Sequence, residues 1–308
     1  MTRERKRRGF TLVEILVSIL ILGVVMGAVM TLFFSVFESY QFHQDVMEAK
    51  QRGHIALASI QPFVSGAALG LPAGKTDFQN GFSANPPLFI LDNASPNKKF
   101  SGPVQLASGD VGDVVVPDDA TEGTALWLVY GEPSGFGVEA DYEADSTARQ
   151  IELTGVINVE ANKNDTTKSW IVFPAGIAPL FISAIDPGDG KILSVASNKA
   201  QKINAFEEAH YLKAVKINVD KNVNGGTLFI ERSDGSGKQP AVEGIAGLWC
   251  VFDRDGDRVL QVTVLARGDT VHASELQSSI EGWLAEAPQP TNRRYRYATV
   301  TRSWRIRN

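Results

Sequence analysis

The sequence predicts an α+β protein, in which one long N-terminal helix packs on a large antiparallel, β-rich head. Three observations support this fold class. Residues 10–37 form an apolar run in which Glu14 is the only charge. Apolar residues then recur at helical spacing as far as Val64. From residue 66 to residue 308, short apolar runs alternate with turns rich in Gly and Pro.

The apolar run is long enough to cross a membrane. Its 28 residues would form a helix about 42 Å long, and the hydrocarbon core is about 30 Å thick. The basic residues between positions 3 and 8 hold the N-terminus in the cytoplasm, so the rest of the chain lies outside it. A cleavable secretory signal has a shorter apolar core. An uncleaved anchor would explain the length but not Glu14, because a carboxylate in lipid is costly and usually functional.

Beyond the membrane, residues 38–65 are predicted to continue the helix as an amphipathic segment. The polar side is expected to carry Gln41, Asp45, Glu48 and Arg52. Pro62 and Gly66 predict that the helix ends near residues 61–66. The stripe expected to face the head consists of Phe42, Val46, Ala49, Gly53, Ala56, Leu57, Ile60 and Val64.

The remaining residues, 66–308, are predicted to form one head domain. A single helical stretch is expected after Ser274, with Leu276, Ile280, Trp283 and Leu284 on its apolar face. Twelve segments have the length and composition of strands. They are residues 88–91, 113–116, 125–130, 150–153, 169–173, 180–184, 192–196, 212–219, 227–232, 246–252, 259–266 and 295–306.

Charge and composition limit the possible functions. Residues 1–9 carry five basic residues and one acidic residue, so the rest of the chain sums to −9 within a total of −5. An acidic body does not attract nucleic acid through its long-range field. The single cysteine, Cys250, excludes an intramolecular disulfide. The motifs of common hydrolases, metalloproteases and redox enzymes are absent from the sequence, so no enzymatic activity is predicted.

Residues 8–14, Arg-Gly-Phe-Thr-Leu-Val-Glu, resemble the class III leader of type IV pilins and type II secretion pseudopilins. The resemblance implies that a prepilin peptidase cleaves between Gly9 and Phe10 and methylates the new N-terminus at Phe10. Residues 1–9 would then be the leader, and residues 10–37 a transmembrane and polymerisation helix. Glu14 would be the fifth residue of the mature chain and would pair with the Phe10 ammonium group of the preceding subunit. A buried charge pair of this kind fixes register.

Two further segments are similar to PilW-type minor pilins. They are residues 48–57, which continue the helix, and the arginine-rich C-terminal residues 293–308. This resemblance implies a structural subunit that takes part in the assembly or initiation of a type IV pilus. It would reside in the inner membrane with a periplasmic head and then in the pilus. Its implied partners are other pilins, the prepilin peptidase, the inner-membrane assembly platform and membrane lipid.

Two other functions stay open at the level of sequence. A minor pseudopilin of a type II secretion system has the same leader and architecture. A pilus tip protein that binds DNA or a surface is the alternative of a different class. Arg293, Arg294 and Arg296 could contact phosphates, with aromatic residues interleaved for stacking. The favoured interpretation of this segment is an edge strand whose arginines pair with the acidic body, so a nucleic-acid partner is not expected.

Calcium is the one cofactor that the sequence suggests. Asp220, Asn222, Asn224 and Glu231 have the spacing of oxygen ligands in a twelve-residue calcium loop. The favoured alternative is a hairpin with an Asn-Gly turn, which would leave Glu231 on a strand. A second acidic turn carries Asp253, Asp255 and Asp257. There the alternatives are a calcium site and a solvated hairpin turn.

Overall fold

The computed structural model describes residues 11–72, 74–82, 86–90, 97–107, 120–163, 165–223, 225–253, 256–276 and 279–307. It begins with one 55-residue helix, α1 (Leu12–Gly66), which contains Pro62 in its last turns. A short helix, α2 (Lys75–Gly81), follows. The rest of the described chain is mainly strands and turns.

Every strand pairing in the described residues is antiparallel. The predicted α+β class is therefore confirmed, and eleven of the twelve predicted strands overlap observed ones. The twelfth, residues 113–116, lies outside the described residues. The strands are β1 (Leu88–Ile90), β2 (Asn97–Lys99), β3 (Val104–Ala107), β4 (Glu122–Gly123), β5 (Ala125–Gly137), β6 (Tyr142–Ala144), β7 (Arg149–Glu152), β8 (Trp170–Val172), β9 (Leu180–Ile185), β10 (Ile192–Ser197), β11 (Gln201–Ile203), β12 (Glu208–Asp220), β13 (Thr227–Arg232), β14 (Gly237–Glu243), β15 (Ile245–Phe252), β16 (Val259–Arg267) and β17 (Tyr297–Arg305).

Two sheets form the body of the head. The larger runs in the order β14-β13-β12-β8-β9-β10-β7, and β5 joins it by pairing with both β12 and β3. The smaller runs β17-β16-β15-β4. Successive side chains of β12 point to opposite faces of the sheet, so this strand contributes to two cores. Val215 and Ile217 lie on the side of α1, whereas Leu212 and Ala214 belong to the aromatic cluster on the opposite side.

The second half of α1 is part of the main core. Ala49, Ala56 and Ile60 are fully buried in one apolar cluster with residues of β5, β12 and β13 and of β15 to β17. The helix therefore packs against strands of both sheets, with β16 and β17 as its principal neighbours. Because the same helix begins with an exposed apolar half, it connects the head to the candidate membrane span without a break.

The face of α1 that meets the head is the predicted one from Ala49 to Val64 and differs from it only in the preceding turns. Asp45 was expected on the outer, polar side, but it is buried, whereas Phe42 is exposed. The buried row passes through Asp45, Ala49 and Gly53, which are four residues apart and so share one side of a helix. The charge of Asp45 predicts an exposed position, but the side chain is buried because Thr270 and His272 of the head provide polar partners.

The prediction of a helix after Ser274 is wrong, because the described residues of that segment form turns and irregular structure. Gly282 has a φ of +74°, in the left-handed region that interrupts a right-handed helix. Part of the predicted apolar face is nevertheless used, because Trp283 is buried in a cluster with Ala246 and Trp249 of the smaller sheet. Leu284 is exposed.

We predict that Gly53→Ala destabilises the head. A Cβ at position 53 would lie 2.5 Å from Cγ2 of Val300 on β17, so the helix and the strand would have to separate. Overpacking of this kind costs about 1–3 kcal/mol. Thermal unfolding of the detergent-solubilised chain should show a lower midpoint, and Val300→Ala in the same chain should restore part of the loss.

The matched control is Gly27→Ala in the exposed apolar half, where an added Cβ meets no atom within 4 Å. An unchanged midpoint for Gly53→Ala would contradict the close packing of α1 on β17.

Candidate functional site: the N-terminal helix

The start of α1 is built around Thr11 and Glu14. Thr11 is the N-cap, and its Oγ1 accepts a hydrogen bond from the Glu14 backbone N–H at 3.3 Å. In return, Oε2 of Glu14 accepts from the Thr11 N–H and from the Thr11 hydroxyl, each at 2.9 Å. This reciprocal arrangement is a capping box, which satisfies backbone donors at the start of a helix. Gly9 and Phe10, the predicted processing residues, lie outside the described residues.

No other part of the described chain packs against the apolar half of α1. Its large side chains, from Leu12 to Phe37, are about half to three-quarters exposed. Among the described residues, α1 is the one helix long and apolar enough to cross a membrane. An apolar surface of this length is stable in lipid or against other apolar helices, not in water.

The first acidic turn does not assemble the predicted set of calcium ligands. Asp220 pairs with Thr227 in the β12–β13 ladder, and Glu231 pairs with Lys216, four residue pairs away. At strand spacing this separates Glu231 from the turn by about 13 Å. Glu231 is buried beside the Lys216 ammonium group, at 3.9 Å. Asn224 lies outside the described residues.

Asp220 itself already has partners. Its carboxylate accepts from the Asn222 N–H at 3.1 Å and pairs with the Lys238 ammonium group at 3.0 Å. Burial alone would raise the pKa of Asp220, but these two contacts hold it below its ordinary value. The hairpin alternative therefore describes the turn, with Lys238 of β14 in the place where a cation would be needed.

The second acidic turn connects β15 and β16. Asp253 accepts hydrogen bonds from the backbone N–H groups of Gly256 and Asp257, at 3.0 and 3.1 Å. One carboxylate thus organises the turn through the backbone, as an aspartate commonly does in turns. Asp257 is exposed, and Asp255 lies outside the described residues.

The arginines near the C-terminus mainly brace the head. Arg294 donates to the carbonyl oxygens of His272 and Ala273, at 2.9 and 3.0 Å. The Arg296 guanidinium lies 4.2 Å from the ring centroid of Phe42 on α1. Arg293 is half-buried. β17, which follows them, is an edge strand of its sheet, as the favoured interpretation of this segment predicts. The contacts described for Arg294 and Arg296 are with carbonyl oxygens and a ring, not with the carboxylates that it predicts.

A cleft of about 610 Å³ opens on the larger sheet between the start of β8 and the β13–β14 turn. Its polar lining is engaged within the chain: Lys213 pairs with Glu132, Lys168 with Glu160, and the Tyr211 hydroxyl accepts from the Asn158 N–H. Among the described residues, no group of three or more Asp, Glu, His and Cys side chains is arranged to hold a metal ion.

Comparison with known proteins gives one match. The family described as the prokaryotic N-terminal methylation motif matches residues 5–30. No curated protein and no solved structure is significantly similar to the chain. The matched segment contains Gly9, Phe10, Thr11 and Glu14 and extends into the exposed apolar half of α1. The chain thus carries a prepilin-type N-methylation motif on a long apolar helix, which supports a type IV pilin-like or pseudopilin subunit anchored in a membrane.

We predict that the thermal unfolding midpoint is the same with calcium and with a chelator. The physical reason is that Lys238 neutralises Asp220 and that Glu231 is held in the ladder. A chelator-dependent midpoint in the wild type that Asp220→Asn abolishes would establish calcium binding at the first turn. Asp253→Asn is the matched variant for the second turn.

Proposed function

We propose that the chain is a minor pilin, a structural subunit that joins a type IV pilus and takes part in its assembly or initiation. The observation that carries the proposal is the methylation motif over residues 5–30, which ends within an exposed apolar helix attached to a β-rich head. The head provides a folded body outside the membrane, and the helix provides the surface for assembly.

In this proposal, Glu14 is the assembly residue and Phe10 its partner. Cleavage after Gly9 would create an ammonium group at Phe10. In lipid, a carboxylate and an ammonium group relieve each other's desolvation only when they pair. Within the single chain, Glu14 is held by neutral donors of Thr11, which are weaker partners than a charge. Exchange of those donors for the ammonium group of a neighbouring subunit would favour assembly in one register.

The PilW type and the pilus itself are the finer part of the proposal. They are supported by the segments at residues 48–57 and 293–308, which resemble PilW-type minor pilins. A pseudopilin of a type II secretion system would use the same leader and helix. The proposed partners are other pilins along α1, the prepilin peptidase, the assembly platform of the inner membrane and membrane lipid.

We predict that the mature protein begins at a methylated Phe10. The leader motif requires cleavage after Gly9, so mass spectrometry of the N-terminal peptide should give Phe10 with one added methyl group. A Gly9 substitution such as Gly9→Leu should leave the uncleaved chain in the membrane. Recovery of residues 1–9 on the wild-type protein in filaments would contradict the proposed processing.

We predict that Glu14→Ala lowers incorporation into filaments at least tenfold while the amount in the membrane stays the same. The variant removes the only carboxylate of the apolar run and so leaves the Phe10 ammonium group without its partner. Immunoblots of sheared filaments and of membranes measure the two quantities. The matched control is Ser18→Ala, one turn further along, where the lost group is a hydroxyl bonded to the Glu14 carbonyl oxygen at 2.7 Å.

Normal incorporation of Glu14→Ala would contradict the role of Glu14. Filaments that require other secretion components instead of pilus components would identify the pseudopilin alternative.

A further inference from the structure

Beyond the apolar half of α1, the helix contacts the head in two different ways. From Ala49 to Val64 the core of the contact is an apolar seam, with polar contacts of Arg52 and Gln61 at its edges. Between residues 38 and 48 the only fully buried side chain is that of Asp45, with 3% of its surface exposed. The membrane-proximal part of the helix is therefore held mainly by the polar contacts of Asp45 and by the Arg296 guanidinium over the Phe42 ring.

The contacts of Asp45 come from one segment, the strap (residues 267–273), which begins at the last residue of β16 and contacts α1. Oδ1 of Asp45 accepts from the Thr270 hydroxyl at 2.7 Å, and Oδ2 lies 3.0 Å from Nε2 of His272. About two turns further along α1, Arg52 pairs with Asp269 at 2.7 Å and donates to the Arg267 carbonyl oxygen at 3.1 Å.

The carboxylates around Arg52 are linked. Arg52 also pairs with Glu48, its neighbour on the helix, at 2.9 Å. Burial and the adjacent Asp269 carboxyl raise the pKa of Glu48, whereas the hydrogen bonds from Arg52 and Glu48 lower that of Asp269. The strap and the helix thus share one network of charges, and Asp45 is its most buried member.

The strap approaches α1 closely, and hydrogen bonds to residues 294–296 hold it in position. A Cβ on Gly268 would lie 3.0 Å from Cβ of Asp45, so a larger residue would push the strap away from the helix. The backbone N–H groups of Gly268 and His272 donate to the carbonyl oxygens of Arg296 and Arg294. Arg294 returns two hydrogen bonds to the strap. The strap is therefore held in place by contacts that do not involve the helix.

We infer that Asp45 is a positioning residue, which with Thr270 and His272 of the strap latches the membrane-proximal helix to the head and fixes the angle of the head above the membrane. Without the latch, the head remains attached through the apolar seam but can pivot about it. A buried carboxylate that loses its donors is strongly destabilising, so the latched arrangement is sharply defined. The consequence for a filament rests on the proposed function: each head would be presented at one angle when Glu14 enters assembly.

The test is a distance measurement between the helix and the head of the detergent-solubilised full chain. Spin labels at Met47→Cys and Val156→Cys occupy positions that are 71% and 57% exposed. The native Cys250 is fully buried, and burial raises the pKa of its thiol, so it stays unlabelled in the folded protein. Electron-electron resonance should give one narrow distance distribution for the latched chain.

Asp45→Ala should at least double the width of that distribution, and Asp45→Asn should give an intermediate width because its amide oxygen still accepts from Thr270. Amide exchange should rise at least tenfold over residues 41–48 and stay unchanged over residues 53–64. The matched control is Glu38→Gln, an exposed charge on the same helix, which should change neither quantity. Thr270→Val is the milder variant if Asp45→Ala does not fold.

An unchanged distribution in the folded Asp45→Ala chain, or in Thr270→Val combined with His272→Gln, would overturn the latch. Exchange that rises equally over both segments would overturn it as well, because it would indicate general destabilisation. The distances are measured without filaments, so failure of the latch and failure of Glu14→Ala to impair assembly are separate results.

Discussion

The close packing of α1 on β16 and β17 is the constraint on which the rest of the structure depends. One helix must meet lipid along its first half and the core of the head along its second half. In the second half, Ala49, Gly53 and Ala56 keep the surface of the helix flat, and Val300 of β17 fills the space over Gly53. The apolar area buried along this seam is the main term that stabilises docking.

Asp45 and Glu14 lie on the same helix, and each places a carboxylate in an apolar setting. The two carboxylates obtain their partners in different ways. Asp45 is buried and obtains its partners from within the chain, from Thr270 and His272. Glu14 lies at the end of an exposed apolar segment, and its partners among the described residues are the neutral groups of Thr11. A buried charge needs a strong and specific partner. The structure supplies Asp45 with donors from a distant segment, whereas the donors described for Glu14 are neutral, which is the premise of the proposed assembly role.

Sequence patterns predicted those features that depend on local periodicity. The apolar run and the alternating runs of the sheets are visible in any window of suitable length, so α1 and most of the long strands were found. β14 was missed because its exposed residues and Pro240 lack an apolar face. The spacing of Glu231 from Asp220 also fitted a calcium loop, but the favoured hairpin, with Glu231 on a strand, is the arrangement observed.

Asp45 shows how the prediction of the buried face of a helix can be improved. Its spacing of four from Ala49, and of eight from Gly53, places it on the buried row, but its charge argued for the opposite side. The partners that allow its burial are more than 220 residues away in the chain. No local pattern contains that information. A polar residue aligned with a row of small residues on a helix is therefore a signal to search for a distant polar partner.

The charges of the head follow the same rule as Asp45. Asp220 and Asp253 bind turn backbone, Arg294 binds the strap, and Arg296 covers Phe42. Groups that resembled ligand sites in the sequence are thus used to hold the head together and to hold it on α1. Charged groups engaged in this way are not available to a ligand without loss of a structural contact. The physical case for function therefore rests on the helix, where an apolar surface and one carboxylate stay unmatched by the rest of the described chain.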